Sequence, residues 1–308
     1  MSNVRSSPFP RELVEATKLR ALRRRIDGKG LRHLAAHAGL LAVTGALILT
    51  ARGGAWALPL VLVHGVVLTF LFAPLHETIH YTAFRRRRLN EAAANLCGFL
   101  ILLPPRYFRA FHFEHHLFTQ DPARDPELIA PKPRTAAAYV LHVSGLPYWR
   151  ERVATTLRHA FGRGRPLPFI PEPLRPTIER EAFRFVTLYV LLGFAAALVG
   201  WLDELAWLWL VPALVGQPAL RLFLLAEHTG CPMAPEMLAN SRTTLTNRYV
   251  RWLTWNMPYH AEHHAYPWLP FHALPAVHES IRGHIKVTAP GYVAANAEIL
   301  RTLSKETA

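Results

Sequence analysis

Residues 55–80 read AWALPLVLVHGVVLTFLFAPLHETIH, an apolar run that ends in two histidines four positions apart. Ala55–Leu75 can cross a hydrocarbon core of ~30 Å at 1.5 Å per residue. His76-Glu77-Thr78-Ile79-His80 then places two imidazoles on one helical face at the membrane boundary. Just upstream, Leu31–Ala51 is a second apolar run of spanning length. Only Arg52-Gly53-Gly54 separates the two, so they form a helical hairpin. Ala182–Gly200 and Leu205–Ala226 repeat the pattern and turn at Trp201-Leu202-Asp203-Glu204. The expected fold is therefore an all-α membrane protein with four transmembrane helices in two hairpins. A helical cap would hold the histidines.

Composition agrees with this reading. Of 308 residues, 51% are hydrophobic and 18% charged, against roughly 25% charged in soluble domains. Lys plus Arg is 35 and Asp plus Glu is 21, a net +14. Such a balance can signal nucleic acid, but beside spanning apolar runs it signals a membrane surface, and no nucleic-acid partner is expected. The apolar content excludes disorder, and Cys97 and Cys231 alone exclude a disulfide scaffold; both read as apolar packing. The first 30 residues carry eight Lys/Arg, among them Arg5, Arg11 and Arg23-Arg24-Arg25, and no early apolar segment, so a retained first span is expected rather than a cleaved signal peptide.

The chain reads as one unit, 1–308, with parts at 1–30 (basic), 31–75 (first hairpin), 76–181 (cap), 182–226 (second hairpin) and 227–308 (cap). The hairpin turns hold only Arg52 and the pair Asp203-Glu204, whereas the other parts hold nearly all the remaining basic residues. The positive-inside rule puts the cap and both termini in the cytoplasm, in a multi-pass protein of the kind found in a bacterial inner membrane. Glu91–Leu103 is too short to span and reads as re-entrant or interfacial, stopped by Pro104-Pro105. Pro166–Pro176 (PLPFIPEPLRP) reads as an extended bridge. Arg85–Arg88 suits anionic headgroups or an acidic electron carrier. Tyr107, Trp252, Trp255 and Trp268 read as interfacial aromatics.

Two further clusters follow the first: His112-Phe113-Glu114-His115-His116 and His260-Ala261-Glu262-His263-His264. Positions i, i+3 and i+4 share a helical face, and neutral imidazole is the commonest protein metal ligand. A ninth candidate, His228, closes the fourth span beside Glu227. Gly230 and Pro232 stand just beyond to end the helix. Nine imidazoles exceed the four ligands of one structural zinc and suit two metals with four or five each; ligand type alone leaves Zn, Cu, Fe and Ni open. Isolated histidines such as His64 and His142 read as satisfied packing residues. Asp125, Glu227, Glu114, Glu262 and Asn256 are candidates to orient the ligands through their outer nitrogens.

Two other functions fit parts of this pattern. HETIH is a literal H-E-x-x-H, the zinc-protease motif with Glu77 as base, but it leaves seven histidines over. A histidine-rich metal transporter would carry its ligands near mid-membrane on broken spans, not at span ends.

The three ordered boxes flanking two hairpins resemble the integral-membrane fatty acid desaturase and hydroxylase family. The likeness is closest in Asn256–His278 (NMPYHAEHHAYPWLPFHALPAVH) and in Asp121–Pro126 (DPARDP). The resemblance implies a diiron centre at the cytoplasmic membrane face that activates O₂. Its ligands would fall on His76, His80, His112, His115, His116, His228, His260, His263 and His264. The implied reaction uses O₂ and two electrons to desaturate an acyl chain of a lipid; hydroxylation or ketolation of a lipid or carotenoid shares its first step. Leu224 stands where the acyl-CoA branch often carries Asn, which points to a membrane-lipid or other lipophilic substrate. No flavin or dinucleotide motif is present, so electrons are expected from an acidic carrier such as a ferredoxin or cytochrome.

Overall fold

The computed structural model describes residues 13–306; Arg5 and Arg11 of the basic segment lie outside the described residues. Sixteen helices follow in order: α1 Ala16–Leu22, α2 Asp27–Ala51, α3 Ala57–Thr69, α4 Phe72–Ile79, α5 Arg87–Leu100, α6 Pro105–Phe118, α7 Ala136–Val143, α8 Leu146–Ala160, α9 Arg175–Leu198, α10 Leu202–Leu205, α11 Val211–His228, α12 Met237–Asn240, α13 Arg248–Leu253, α14 His260–Ala265, α15 Leu274–Ile281 and α16 Tyr292–Glu306. Four helical stretches are long and apolar enough to cross a membrane: Asp27–Ala51, Ala57–Ile79, Glu172–Leu198 and Leu202–His228. The only strands among the described residues are a two-residue parallel pair, Thr243–Thr244 with Thr288–Ala289.

Each span runs beyond its apolar stretch, because hydropathy marks the part that lies in lipid rather than the helix itself. The first begins at Asp27, not Leu31. The third begins at Arg175, inside the proline-rich bridge, with Pro176 in its first turn, where a missing N–H costs no hydrogen bond. The second breaks briefly at Phe70-Leu71 before α4, and the fourth passes through a π-helical turn at Ala206–Leu210. Exposed Val43, Leu47, Leu58, Leu62, Leu191, Phe194 and Leu198 form the apolar outer surface.

The two hairpins meet through backbone. A Cβ at Gly216 on α11 would lie 2.0 Å from the Gly65 carbonyl oxygen of α3, and one at Gly65 would lie 2.4 Å from Pro212 O. Only glycine permits this approach, the small-residue contact typical of membrane helices. Thr69 Oγ1 donates to Gly216 O across it at 3.2 Å. His64 joins three helices, with Nδ1 2.6 Å from Thr44 Oγ1 and Nε2 3.0 Å from Leu208 O. At one end of the bundle Arg52 binds Glu204 (2.7 Å) with Asp203 at 4.0 Å, so both turns lie together. The histidines lie at the other end.

The stretch 91–103 lies mostly in α5, packed along α4 with Ala93, Ala94 and Cys97 buried; α5 ends at Leu100 and Pro104-Pro105 starts α6. Two expectations need correction. The proline-rich bridge is not simply extended: Glu172–Leu174 forms a 3₁₀ turn and α9 begins at Arg175, while Phe169 and Ile170 are buried beside Tyr107. Tyr107 and Trp255 are core rather than interfacial residues. Trp255 is fully buried against Phe271 and His33. Both rings face inward because α6 and the α13–α14 connection fold over the ends of the spans.

Candidate metal centre

Four chain segments deliver the nine histidines. α4 carries His76, and His80 caps its C-terminal end; the first turn of α6 is set by Pro105, and α6 carries His112, His115 and His116, all buried. α11 ends on His228, where Gly230, at φ +78°, turns the chain back, a left-handed conformation that glycine takes at no steric cost. α14 carries His260, His263 and His264.

All nine are buried and sort into two groups. His76, His80, His112, His116 and His263 form one; His115, His228, His260 and His264 form the other. Within each group the ligand atoms lie within 4.8 Å of one another. Each HxxHH box is divided between the groups. On α6 the i, i+4 pair His112 and His116 serves the five-histidine group and His115 the other. On α14 the pair His260 and His264 serves the four-histidine group and His263 the first. The groups adjoin where His116 stacks on His264, with ring centroids 4.1 Å apart.

The four-histidine group shows what such a cluster can hold. His115 Nδ1 donates to Asp125 Oδ1 (2.9 Å), and His228 Nδ1 donates to the Asn240 carbonyl (3.0 Å). Thr119 Oγ1 gives its own proton to His115 O, so it accepts from His264 Nδ1 at 3.1 Å. Glu227 Oε1 lies 3.2 Å from His260 Nδ1. With the protons on Nδ1, every Nε2 presents a lone pair. Yet His228 Nε2 sits 3.1 Å from His115 Nε2 and 2.9 Å from His260 Nε2, and buried His264 Nε2 has no hydrogen-bond partner among the described residues. Lone pairs facing one another in a buried site repel unless a cation lies between them. The donor set therefore fits a metal ion. In the five-histidine group, His116 Nε2 lies 2.9 Å from His112 Nε2 and 3.1 Å from His263 Nε2. There the outer nitrogens of His76, His116 and His263 meet no hydrogen-bond partner among the described residues.

Burial, reinforced by neighbouring imidazoles, pushes His112, His116, His260, His263 and His264 well below the usual histidine range. That leaves them neutral, the form that binds metal. For His115, burial lowers the value, but the charges of Glu127 and Asp125 outweigh it and the net shift is upward.

Of the five orienting candidates, Asp125 and Glu227 stand beside cluster histidines. The other three do not. Glu262 is fully buried and binds His278 Nδ1 and Thr243 Oγ1, which ties α14 to the strand pair. Glu114 lines a groove between α5, α6 and the start of α9. Asn256, at φ +60°, donates to Phe271 O at 3.1 Å. One to two residues from a histidine, a helical side chain leaves that histidine's face, which explains Glu114 and Glu262. The Asn240 carbonyl and Thr119 are contacts that sequence reasoning missed. Thr119 follows His115 by one turn, a signal that was available; a backbone carbonyl has none.

The family model for fatty acid desaturase matches residues 53–294, which include all nine histidines. The chain belongs to the fatty acid desaturase family. Over 221 residues it is 29% identical to the sphingolipid delta(4)-desaturase of Drosophila melanogaster, covering 69% of this chain and 62% of that protein. Over 252 residues it is 25% identical to the sn-1 oleoyl-lipid 12-desaturase of Picosynechococcus, covering 73% of this chain and 69% of that protein. The match therefore spans about two thirds of each relative's length. Family and apolar helices together make this an integral membrane protein with a histidine cluster able to bind metal.

Proposed function

We propose that this chain is a diiron oxidoreductase that desaturates an acyl chain of a membrane lipid with O₂ and two electrons. The observation that carries the reading is the pair of adjoining buried imidazole groups, four and five strong, at the ends of apolar spans. Two iron ions held there would supply O₂ reduction and removal of hydrogen from an unactivated carbon. In balance, –CH₂–CH₂– plus O₂, two electrons and two protons gives –CH=CH– and two waters. The protein's own share is positioning. Asp125, Thr119 and the Asn240 carbonyl hold the imidazole protons outward, so the lone pairs point inward. Burial of most of these histidines would limit bulk water at the reacting carbon.

The zinc-protease alternative is disfavoured by Glu77. Its Oε1 accepts from Phe271 N at 2.9 Å instead of facing a water on a metal, and His76 and His80 join three further imidazoles rather than a carboxylate. The transporter alternative is disfavoured by the placement of the ligands at span ends. We further infer a cytoplasmic cap, a bacterial inner-membrane location and an acidic one-electron donor, because basic residues crowd the histidine end.

Expression in a host with saturated lipids tests the chemistry: acyl chains should become lighter by two hydrogens, and only with iron and oxygen present. A purified protein holding one zinc and no iron would overturn the reading. For orientation, an impermeant thiol reagent outside intact cells should label Arg52→Cys and spare Glu279→Cys; the reverse pattern would invert the topology.

A further inference from the structure

Beside the five-histidine group, a groove of about 720 Å³ opens between the end of α4, α5, α6 and the start of α9. That volume is typical of a site for one lipid-sized ligand. Its apolar wall includes Ile79, Ala110, Phe113, Leu117, Phe169 and Ile178. Phe113 stacks on His80 with ring centroids 5.1 Å apart, so the groove reaches the metal ligands themselves.

The groove's cations differ in how they are paired. Arg87 binds Glu91 at 2.8 Å, Arg106 lies 3.7 Å from Glu181, and Arg184 donates to Asn95. Arg109 makes no ion pair, with Glu114 or any other carboxylate among the described residues. Its guanidinium is clamped between the rings of Tyr81 (4.6 Å) and Phe113 (4.0 Å), and its buried Nη1 has no hydrogen-bond partner among the described residues. A half-buried guanidinium stays charged, and an unmet N–H beside an open groove is a site for an anionic oxygen. The two aromatic faces fix the plane of its fork for paired N–H···O bonds.

We propose that Arg109 anchors the anionic polar end of the acyl substrate, a carboxylate or a phosphate, and so sets the double-bond position by counting from that end. The proposal rests on the reading that the histidine groups carry out desaturation. The ring contacts keep the Arg109 guanidinium within about 9 Å of the His80 ring centre. An extended chain advances ~1.2 Å per bond, so a chain anchored at Arg109 reaches the His80 ring within about seven bonds. The double bond should fall within roughly the first ten carbons. Its position should not change when the methyl end is lengthened.

The first arm of the test is binding to the purified protein, read by displacement of a fluorescent fatty acid. Palmitic acid should displace it at about tenfold lower concentration than methyl palmitate, and dipalmitoyl phosphatidic acid likewise against dipalmitoylglycerol if phosphate is the anchored group. The stronger of the two preferences names the source of the anion. Arg109→Met should abolish the preference while keeping expression and metal content, and Arg109→Lys should restore part of it. Equal binding of acids and neutral partners by the wild type, or a preference that survives Arg109→Met, would overturn the proposal.

The second arm maps double bonds by mass spectrometry in cells fed saturated chains of increasing length. A constant distance from the polar end supports the anchor; a constant distance from the methyl end overturns it. If no double bond forms in any lipid, the desaturase reading fails, and the binding arm still decides whether Arg109 is an anion site.

Discussion

Asp125→Asn tests how the four-histidine group is built. The Asp125 carboxylate is 4% exposed and receives three N–H groups: His115 Nδ1 and Glu127 N on Oδ1, each at 2.9 Å, and Gln120 N on Oδ2 at 2.7 Å. Every contact needs an acceptor, and asparagine offers one oxygen and one NH₂. Placed with oxygen toward His115, its NH₂ faces the Gln120 N–H; flipped, it faces His115 and Glu127 together. The first placement leaves one donor unmet and the flipped one leaves two, at about 1–3 kcal/mol for each that is buried. Losing an outer carboxylate also makes the imidazole a weaker ligand, and such changes typically cost about 10- to 100-fold in metal affinity. That is roughly 1.4–2.8 kcal/mol at 1.4 kcal/mol per decade, in line with the hydrogen-bond figure. The assay is iron remaining during titration with a chelator. The variant should release one of two irons at about 10- to 100-fold lower chelator, while the five-histidine group, which Asp125 does not touch, retains its own. Release of both irons as in the wild type, or of both together, would refute the assignment of Asp125 to one group.

His228→Ala should keep normal insertion and lose about half its iron with all its activity, whereas His64→Ala should keep its iron while losing roughly 1–3 kcal/mol from two helix-bridging hydrogen bonds; metal analysis beside thermal melts separates them. Gly216→Leu cannot keep α3 against α11, since its Cβ would meet the Gly65 oxygen at 2.0 Å, so it should destabilise by about 3 kcal/mol or more, and Gly193→Ala, with open space around it, should not. Burial pushes the Cys97 thiol up to about 12, so at pH 8 its thiolate is about one part in ten thousand. Maleimide labelling of Cys97 in a Cys231→Ser background should then wait for denaturation; fast labelling of the folded protein would place α5 differently.

Histidine spacing made the clustered histidines readable, because i, i+3 and i+4 positions must share a helical face wherever that helix lies. His228 was readable for another reason: a spanning helix has a known rise, so its end falls at the depth where His76 leaves the second span. Spacing could not assign His115 to one group and its neighbour His116 to the other, because that depends on which helix approaches from which side. Glu262 and Asn256 misled for a related reason. Their nearness to histidines in sequence carries no information about partners from remote segments, and His278, Thr243 and Phe271 O claimed them. The spans were found but their ends misplaced, since a helix continues into water as long as its backbone hydrogen bonds are met.

The division of each HxxHH box also fixes when the centre can exist. The five-histidine group takes four ligands from residues 76–116 and its last from His263; the four-histidine group takes His115 early and the rest from His228 onward. A nascent chain that has made only its first hairpin and α6 holds one incomplete set and a single imidazole of the other. Neither set closes until His263 and His264 have been made and the second hairpin has docked through Gly65 and Gly216. Any metal that needs a complete group would therefore have to be loaded late in biosynthesis, and truncated or half-inserted chains would carry neither group whole.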